Sequence, residues 1–198
     1  MLASKLINLG SKSLKKNLIS SHTLDSELIL SKILKKSREK ILTSSELNIT
    51  YDTLLEFNRL IKRRIKLEPM AYILKEKEFW SKKFFVNKNT LIPRPETELM
   101  VEKVVNIFKK KNIYILDIGT GTGCILLSVL SELKRSKGIG VDISQKAIQI
   151  AIKNSVSHKL SQRAKFYKKS LMQVYGHRFD LIVSNPPYIN KKDIVRLN

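Results

Sequence analysis

The stretch Ile113-Tyr-Ile-Leu-Asp-Ile-Gly-Thr-Gly-Thr-Gly-Cys124 joins an apolar strand to a glycine-rich loop, and Cys124 is expected to begin a helix. Glycines in such a loop let the main chain turn sharply and let a ligand come close to it. The spacing is G-x-G-x-G rather than the G-x-G-x-x-G of a dinucleotide site, and no Gly-Lys-Ser/Thr ending marks a phosphate-binding loop. The stretch therefore predicts a loop that binds a nucleoside-type cofactor at the end of a strand.

Strands and helices alternate along this part of the chain. Apolar runs predict strands at 113–117, 138–142, 164–167 and 180–184, with helices from Cys124 to about 134 and from Ser144 to about 158. This alternation is typical of parallel strands joined by right-handed crossovers. The sequence therefore predicts an α/β fold built on a parallel sheet.

Asp142 ends the second of these strands, 23 positions after Gly119. A carboxylate at this place can accept hydrogen bonds from both hydroxyls of a ribose. The alternative is a structural role at the strand end or as a cap of the next helix. Because the glycine loop supplies the strand–loop–helix–strand context that the motif requires, we favour the ribose role.

The fourth strand runs directly into Asn185-Pro186-Pro187-Tyr188. Proline fixes its own φ and restricts the residue before it, so Asn185 is expected to be extended. The asparagine oxygen and a neighbouring carbonyl can then both accept hydrogen bonds from one NH2 group, while Tyr188 lies against the planar group that carries it. The alternative is an ordinary proline turn. With the cofactor loop upstream, the motif indicates chemistry on an amide or an exocyclic amine.

The residues before the predicted sheet differ from it in their proline and glycine content. The first 68 contain no proline and only one glycine, and their apolar spacing predicts a small helical bundle at 1–68. A β-hairpin linker is predicted at 69–92, with strands at 70–80 and 83–86, and a third domain at 93–198. In Leu91-Ile-Pro-Arg-Pro-Glu-Thr-Glu98, Thr97 is expected to cap the following helix.

Net charge, hydrophobic content and the number of His and Cys residues limit the kinds of protein that this chain can be. Formal net charge is +21, which suggests an acidic partner such as nucleic acid, although a coding bias toward lysine explains it equally well. A hydrophobic fraction of 42% is enough for packed cores, and no apolar run has the length of a membrane span. Three scattered histidines and one cysteine offer no metal-ligand spacing, so we expect no metal and a cytoplasmic protein.

Taken together, these motifs resemble the class I S-adenosylmethionine-dependent methyltransferases, and closely the release-factor glutamine methyltransferases. The likeness covers nearly the whole chain and rests on the helical N-terminal part, the 92–98 segment, the 117–123 loop, Asp142 and the 185–188 motif. It implies a Rossmann-like methyltransferase sheet with a small N-terminal helical bundle and a linking β-hairpin. Asn-Pro-Pro-Tyr also occurs in enzymes that methylate amino groups of nucleic-acid bases, whereas the Arg-Pro-Glu-Thr-Glu segment is narrower in its distribution.

The resemblance implies S-adenosylmethionine as cofactor and peptide chain release factors as the protein substrate, methylated on the glutamine of a Gly-Gly-Gln loop. It places the cofactor against Gly119, Thr120, Gly121, Thr122, Gly123 and Asp142, with Leu171 near the adenine ring and Asn185 beside cofactor and substrate. It assigns catalysis and substrate binding to Asn185, Pro186, Pro187 and Tyr188.

The distance from Asn185 to the last residue, Asn198, is short for this family. We therefore expect a sheet that is incomplete at its C-terminus and a chain that is poorly active as it stands. Two alternatives to a release-factor methyltransferase remain open: a nucleic-acid adenine N6-methyltransferase, and a catalytically weak binding module.

Overall fold

The computed structural model describes residues 2–44, 47–174, 176 and 178–186, and the chain divides into two units, Met1–Lys75 and Glu76–Asn198. Helices make up the first unit. They are α1 (Ala3–Lys16), α2 (His22–Leu34), α3 (Arg38–Thr43), α4 (Tyr51–Ile65) and α5 (Met70–Leu74).

The helices of the first unit pack around a core that includes Leu6, Leu14, Ile29, Leu30 and Phe57. At the only glycine of this unit, Gly10, an added Cβ would lie 2.6 Å from both the Phe57 ring and the Ser26 hydroxyl oxygen. Glycine therefore allows the close approach of α1 to α2 and α4. A buried ion pair also joins two of these helices, with Arg64 Nε 2.7 Å from Asp25 Oδ2.

The second unit begins with an antiparallel hairpin of β1 (Glu76–Phe79) and β2 (Lys82–Phe85), in which Glu76 pairs with Phe85. A 3₁₀ turn at Pro95–Thr97 leads into α6 (Glu98–Phe108). The remaining elements alternate as β3 (Tyr114–Ile118), α7 (Cys124–Glu132), β4 (Lys137–Asp142), α8 (Gln145–Ser157), β5 (Ala164–Lys168), a 3₁₀ turn at Leu171–Gln173, and β6 (Leu181–Ser184).

The four strands β3 to β6 form a parallel sheet in the order β5-β4-β3-β6. Helices α7 and α8 pack on it over a core that includes Ile115, Leu126, Leu127, Leu130 and Phe166. This arrangement confirms the predicted α/β fold with a Rossmann-like parallel sheet. Ser144 caps α8, because its side chain accepts a hydrogen bond from Ala147 N.

The structure differs from the sequence prediction at the hairpin. Residues 70–74 form the short helix α5 rather than the start of a strand, and the first strand begins only at Glu76. Lys75 separates them in the left-handed conformation, with φ 57°. The hairpin turn is unusual too, because Trp80 and Ser81 both have a φ of 52° where glycine or asparagine is the common choice.

Two carboxylates compensate for this strained turn. Glu98 Oε1 accepts a hydrogen bond from Trp80 N at 2.8 Å, and Glu132 Oε1 accepts one from Trp80 Nε1 at 3.0 Å. The hairpin is thereby attached to the first turn of α6 and the last turn of α7.

Candidate functional site

The predicted site residues lie at one edge of the sheet. Parallel strands end at the same edge, and ligands of open α/β sheets bind there. Ile118 at the end of β3 pairs with Ser184 at the end of β6, so the glycine loop and Asn185 leave neighbouring strands side by side. Asp142 ends β4 on the other side of β3. The fold therefore brings the glycine loop, Asp142 and Asn185 to one end of three adjacent strands.

The glycine loop has the backbone conformation that only glycine adopts freely. Gly119, Gly121 and Gly123 have φ values of 68°, 54° and 78°. Among the described residues, nothing lies within 4 Å of a Cβ built on Gly119, and only the Gly119 carbonyl oxygen lies near one built on Gly121. The loop therefore leaves open space directly above its main chain.

Asp142 holds this loop in place. Its Oδ2 accepts a hydrogen bond from Gly121 N at 3.0 Å, and its Oδ1 accepts one from Ser144 N at 2.9 Å. The carboxylate thus serves both the loop and the start of α8, which is the structural role that the sequence left as the alternative. A carboxylate can accept about four hydrogen bonds, and Asp142 is partly exposed, so it keeps acceptor capacity for a ligand.

Asp117 lies fully buried beneath the loop, and Thr120 Oγ1 donates a hydrogen bond to its Oδ2 at 2.7 Å. Burial raises the pKa of Asp117 to about 7, against a smaller lowering by the Thr120 hydroxyl. The nearby Cys124 is buried as well, and burial raises the pKa of its thiol to about 12. The thiol is therefore protonated at neutral pH and is no nucleophile.

Asn154 on α8 is a site-supporting residue that the sequence analysis missed. Its Oδ1 accepts a hydrogen bond from Phe85 N at 2.8 Å, while its Nδ2 donates to Phe85 O and to Thr122 O at 3.1 and 2.9 Å. One buried amide thus joins the hairpin, α8 and the glycine loop. Its only sequence signal is an asparagine on a helix face that is otherwise apolar.

The second half of the site is a cleft of about 600 Å³ beside Asn185. Its described lining is Leu91, Arg94, Glu96, Thr97, Met100, Asn185 and Pro186. Asn185 Nδ2 donates a hydrogen bond to Thr97 Oγ1 at 3.0 Å, which ties the end of β6 to the turn before α6. The Thr97 side chain makes no capping hydrogen bond to the described part of α6, so the predicted cap is wrong.

The contacts above do not include the other three predicted site residues. Pro187 and Tyr188 lie outside the described residues. Leu171 begins the 3₁₀ turn after β5, at the same edge of the sheet as Asp142, with 54% of its surface exposed. Its assignment to an adenine ring stays a prediction.

The open loop and the Asp142 carboxylate suit a nucleoside-type cofactor. The open main chain of the glycine loop offers room for a close approach, and Asp142 offers carboxylate acceptors for ribose hydroxyls. Within the described ranges, no group of three or more His, Cys, Asp or Glu side chains could hold a metal ion. None of the described helices is both long and apolar enough to span a membrane.

Comparison with known proteins identifies both parts of the chain. Residues 95–197, just over half of the chain, match the model described as Methyltransferase small domain, and residues 5–74 match the PrmC N-terminal domain. A solved SAM Dependent Methyltransferase from Agrobacterium tumefaciens aligns at 21% identity and a TM-score of 0.48, covering 57% of this chain and 39% of its own.

Curated relatives cover most of the chain. A Release factor glutamine methyltransferase of Buchnera aphidicola subsp. Baizongia pistaciae is 43% identical over 86% of this chain and 62% of its own length. The protein of the same name from Haemophilus influenzae is 40% identical over 90% of this chain and 65% of its own. This chain thus spans less than two thirds of the length of these relatives. The matches confirm the resemblance predicted from the sequence: the chain belongs to the methyltransferase small domain family, with a PrmC N-terminal domain ahead of it.

Proposed function

We propose that this protein transfers a methyl group from S-adenosylmethionine to the side-chain amide nitrogen of the glutamine in the Gly-Gly-Gln loop of peptide chain release factors. The observation that carries the proposal is the position of Asn185, which leaves β6 beside the glycine loop and opens into a cleft. The names of the curated relatives support the choice of substrate.

In this proposal Gly119, Thr120, Gly121, Thr122 and Gly123 would hold the methionine end of the cofactor, Asp142 its ribose and Leu171 its adenine. The bound cofactor supplies an electrophilic methyl group. The chain supplies orientation, since the open main chain above Gly119 and Gly121 lets the ligand lie directly on the loop.

The catalytic difficulty lies in the substrate. A glutamine amide nitrogen is a poor nucleophile because its lone pair is delocalised into the carbonyl group. The Asn185 oxygen and the Pro186 carbonyl oxygen would hold the NH2 group as hydrogen-bond acceptors and stabilise the positive charge that develops on nitrogen during transfer. The nitrogen would then release one of its two protons to water, which leaves a neutral N-methyl amide. Pro187 and Tyr188 complete the proposed substrate site, with the tyrosine ring on the amide plane. No thiolate, imidazole or carboxylate is needed as nucleophile.

The cleft next to Asn185 has a mixed lining that can receive a peptide loop. It combines the apolar side chains of Leu91 and Met100 with one cation and one anion, Arg94 and Glu96. Mixed lining of this kind can bind both apolar and polar parts of a peptide main chain. We assign the helices of residues 1–68 to docking of the same protein substrate.

A transfer assay with labelled S-adenosylmethionine tests the proposal. A release factor should accept label, and the same factor with its Gly-Gly-Gln glutamine changed to alanine should not. Label on adenine of DNA or RNA would instead favour the nucleic-acid methyltransferase, and cofactor binding without transfer to any acceptor would favour a binding module.

The variant Asn185→Ala tests the proposed role of Asn185 in transfer. We expect at least a hundredfold loss of transfer, the scale reported for removing one preorganised hydrogen-bonding group from an active site. Cofactor affinity, measured by calorimetry, should fall much less. Asn106→Ala, at an exposed position on α6, is the matched control and should leave transfer unchanged. Undiminished transfer by Asn185→Ala would refute the role of this residue.

A further inference from the structure

Thr97 lies 88 positions before Asn185 in the sequence, and its hydroxyl oxygen is the observed partner of the Asn185 amide. The donor is Asn185 Nδ2 and the distance is 3.0 Å. Thr97 is 9% exposed and lines the same cleft as Asn185 and Pro186. The contact is therefore a partly buried hydrogen bond at the wall of the proposed substrate site.

In the observed orientation of the Asn185 side chain, Nδ2 faces the Thr97 hydroxyl oxygen. A primary amide carries a donor NH2 on one side and an acceptor oxygen on the other. With Nδ2 bonded to Thr97, the amide oxygen keeps its capacity as an acceptor. The opposite orientation would present an NH2 group to the substrate NH2 group, and two donors cannot hydrogen-bond to each other.

We propose that Thr97 is a positioning residue for methyl transfer. Thr97 holds the Asn185 side chain so that the Asn185 oxygen accepts a hydrogen bond from the substrate amide. This inference rests on the proposed function for the identity of the substrate, and on the Thr97–Asn185 geometry for the orientation. Hydrogen bonds in series polarise one another, so acceptance by Thr97 also increases the negative charge on the Asn185 oxygen.

Thr97 is suited to this task because its own main chain is fixed. It ends the 3₁₀ turn Pro95–Thr97, where its N–H donates to Arg94 O at 3.1 Å. Pro95 fixes its own φ at the first position of this turn. The next residue, Glu98, accepts the hydrogen bond from Trp80 N and so anchors the start of α6 to the hairpin. The hydroxyl oxygen is thus presented to Asn185 from a turn that is restrained on both sides.

Replacing Thr97 by valine tests the role while keeping the shape of the side chain. We expect kcat to fall about tenfold, which corresponds to ~1.4 kcal/mol of activation free energy. KM for the release factor and the dissociation constant of S-adenosylmethionine should change less than twofold. Thr97→Ser keeps the hydroxyl group and should restore at least half of the lost rate. A Thr97→Val enzyme with unchanged kcat, or one that serine does not rescue, would overturn the proposal.

A double-mutant cycle separates positioning from general damage. In an Asn185→Ala background, Thr97→Val should cause no further loss of kcat, because the group that Thr97 orients is already gone. A full additional tenfold loss would show that Thr97 acts independently of Asn185, and would overturn the proposal.

A measurement without turnover keeps this inference separate from the proposed function. In the full chain labelled with ¹⁵N-asparagine, the side-chain NH2 signals of Asn185 are assigned as the pair missing in Asn185→Ala. Thr97→Val should shift this pair and speed its hydrogen exchange, whereas Thr97→Ser should not. If the wild-type chain fails to methylate a release factor but these signals respond as stated, the proposed function fails for this chain and the orientation of Asn185 by Thr97 stands. If the signals do not respond, the inference fails whatever the activity.

Discussion

Asp117 is the residue whose chemistry depends most on the fold. It follows three apolar residues of β3, and its side chain is enclosed beneath the glycine loop with Thr120 as hydrogen-bond donor. Its pKa of about 7 lies well above the ordinary value of 3.8, because burial penalises the charged form. The folded state therefore binds this proton more tightly than the unfolded state does.

This difference gives a pH dependence with a definite sign. Between about pH 4 and pH 7 the folded chain retains a proton that the unfolded chain loses, so the contribution of Asp117 to the free energy of unfolding decreases as pH rises and is constant above pH 7. Urea denaturation of wild type and Asp117→Asn should reveal it. The stability of wild type relative to the variant should fall across this interval by up to about 4 kcal/mol.

Thr120→Val provides the comparison for that experiment. The Thr120 hydroxyl group lowers the pKa of Asp117 by donating a hydrogen bond to the Asp117 carboxylate. Removal of this hydroxyl group should raise the pKa of Asp117 and extend to higher pH the interval over which stability falls. A stability difference between wild type and Asp117→Asn that is flat from pH 4 to pH 8 would contradict the assignment.

Single residues also mark the limit of what the sequence predicts. The spacing of the glycine loop and the place of Asp142 after a strand follow from local patterns, and both were predicted. Thr97 was expected to cap α6, because a threonine before a helix has this local explanation. Its actual partner, Asn185, is distant in the sequence, and no local pattern indicates a contact that only the folded sheet creates.

At the level of elements, the hairpin, α8 and the glycine loop meet at the side chain of Asn154. This buried amide satisfies the main-chain N–H and C=O of Phe85 and the carbonyl of Thr122. Lys153 adds a second contact between the same elements, with its Nζ 3.5 Å from the centre of the Phe85 ring. Asn154 and Lys153 thus both hold the hairpin against α8, together with a ring contact between Phe84 and His158 at 4.6 Å.

Replacing Asn154 by alanine should lower the free energy of unfolding by about 2–4 kcal/mol, because it leaves buried main-chain groups of Phe85 and Thr122 without partners. Fluorescence of Trp80, the only tryptophan, reports on the hairpin during urea denaturation. The exposed Asn106→Ala serves as control, with an expected change within about 0.5 kcal/mol. Equal midpoints for the two variants would contradict this account of the hairpin.

The elements themselves were predicted with uneven success. The four strands of the sheet and the helices between them follow from alternating apolar runs and glycine positions, and they appear within two residues of the predicted bounds. The segment 70–80 was read as one strand, because Met, Tyr, Ile and Leu are compatible with either structure over such a short run. The break at Lys75 depends on a left-handed backbone conformation, and a lysine in the sequence does not indicate that conformation.

For the whole molecule, charge is the dominant feature. The chain has 38 Lys and Arg residues against 17 Asp and Glu, so most cations have no anion to pair with even if every acidic side chain formed an ion pair. Some ion pairs in the described part, such as Arg63–Glu68 and Arg59–Glu56, join residues within one helix or its end, whereas Arg64–Asp25 joins two helices. Repulsion among the remaining cations opposes the compact state.

Salt should therefore stabilise this protein over the range in which it screens that repulsion. The Debye length falls from about 30 Å at 0.01 M to about 10 Å at 0.1 M ionic strength, so repulsion between distant lysines is largely removed while contacts at hydrogen-bond distance are less affected. We expect the midpoint of thermal unfolding to rise by several degrees between 10 and 200 mM NaCl. KCl at equal ionic strength should give the same rise, because screening does not depend on the identity of the cation. A midpoint that falls with added salt would mean that the attraction within pairs such as Asp25–Arg64 outweighs the repulsion among the 38 basic side chains.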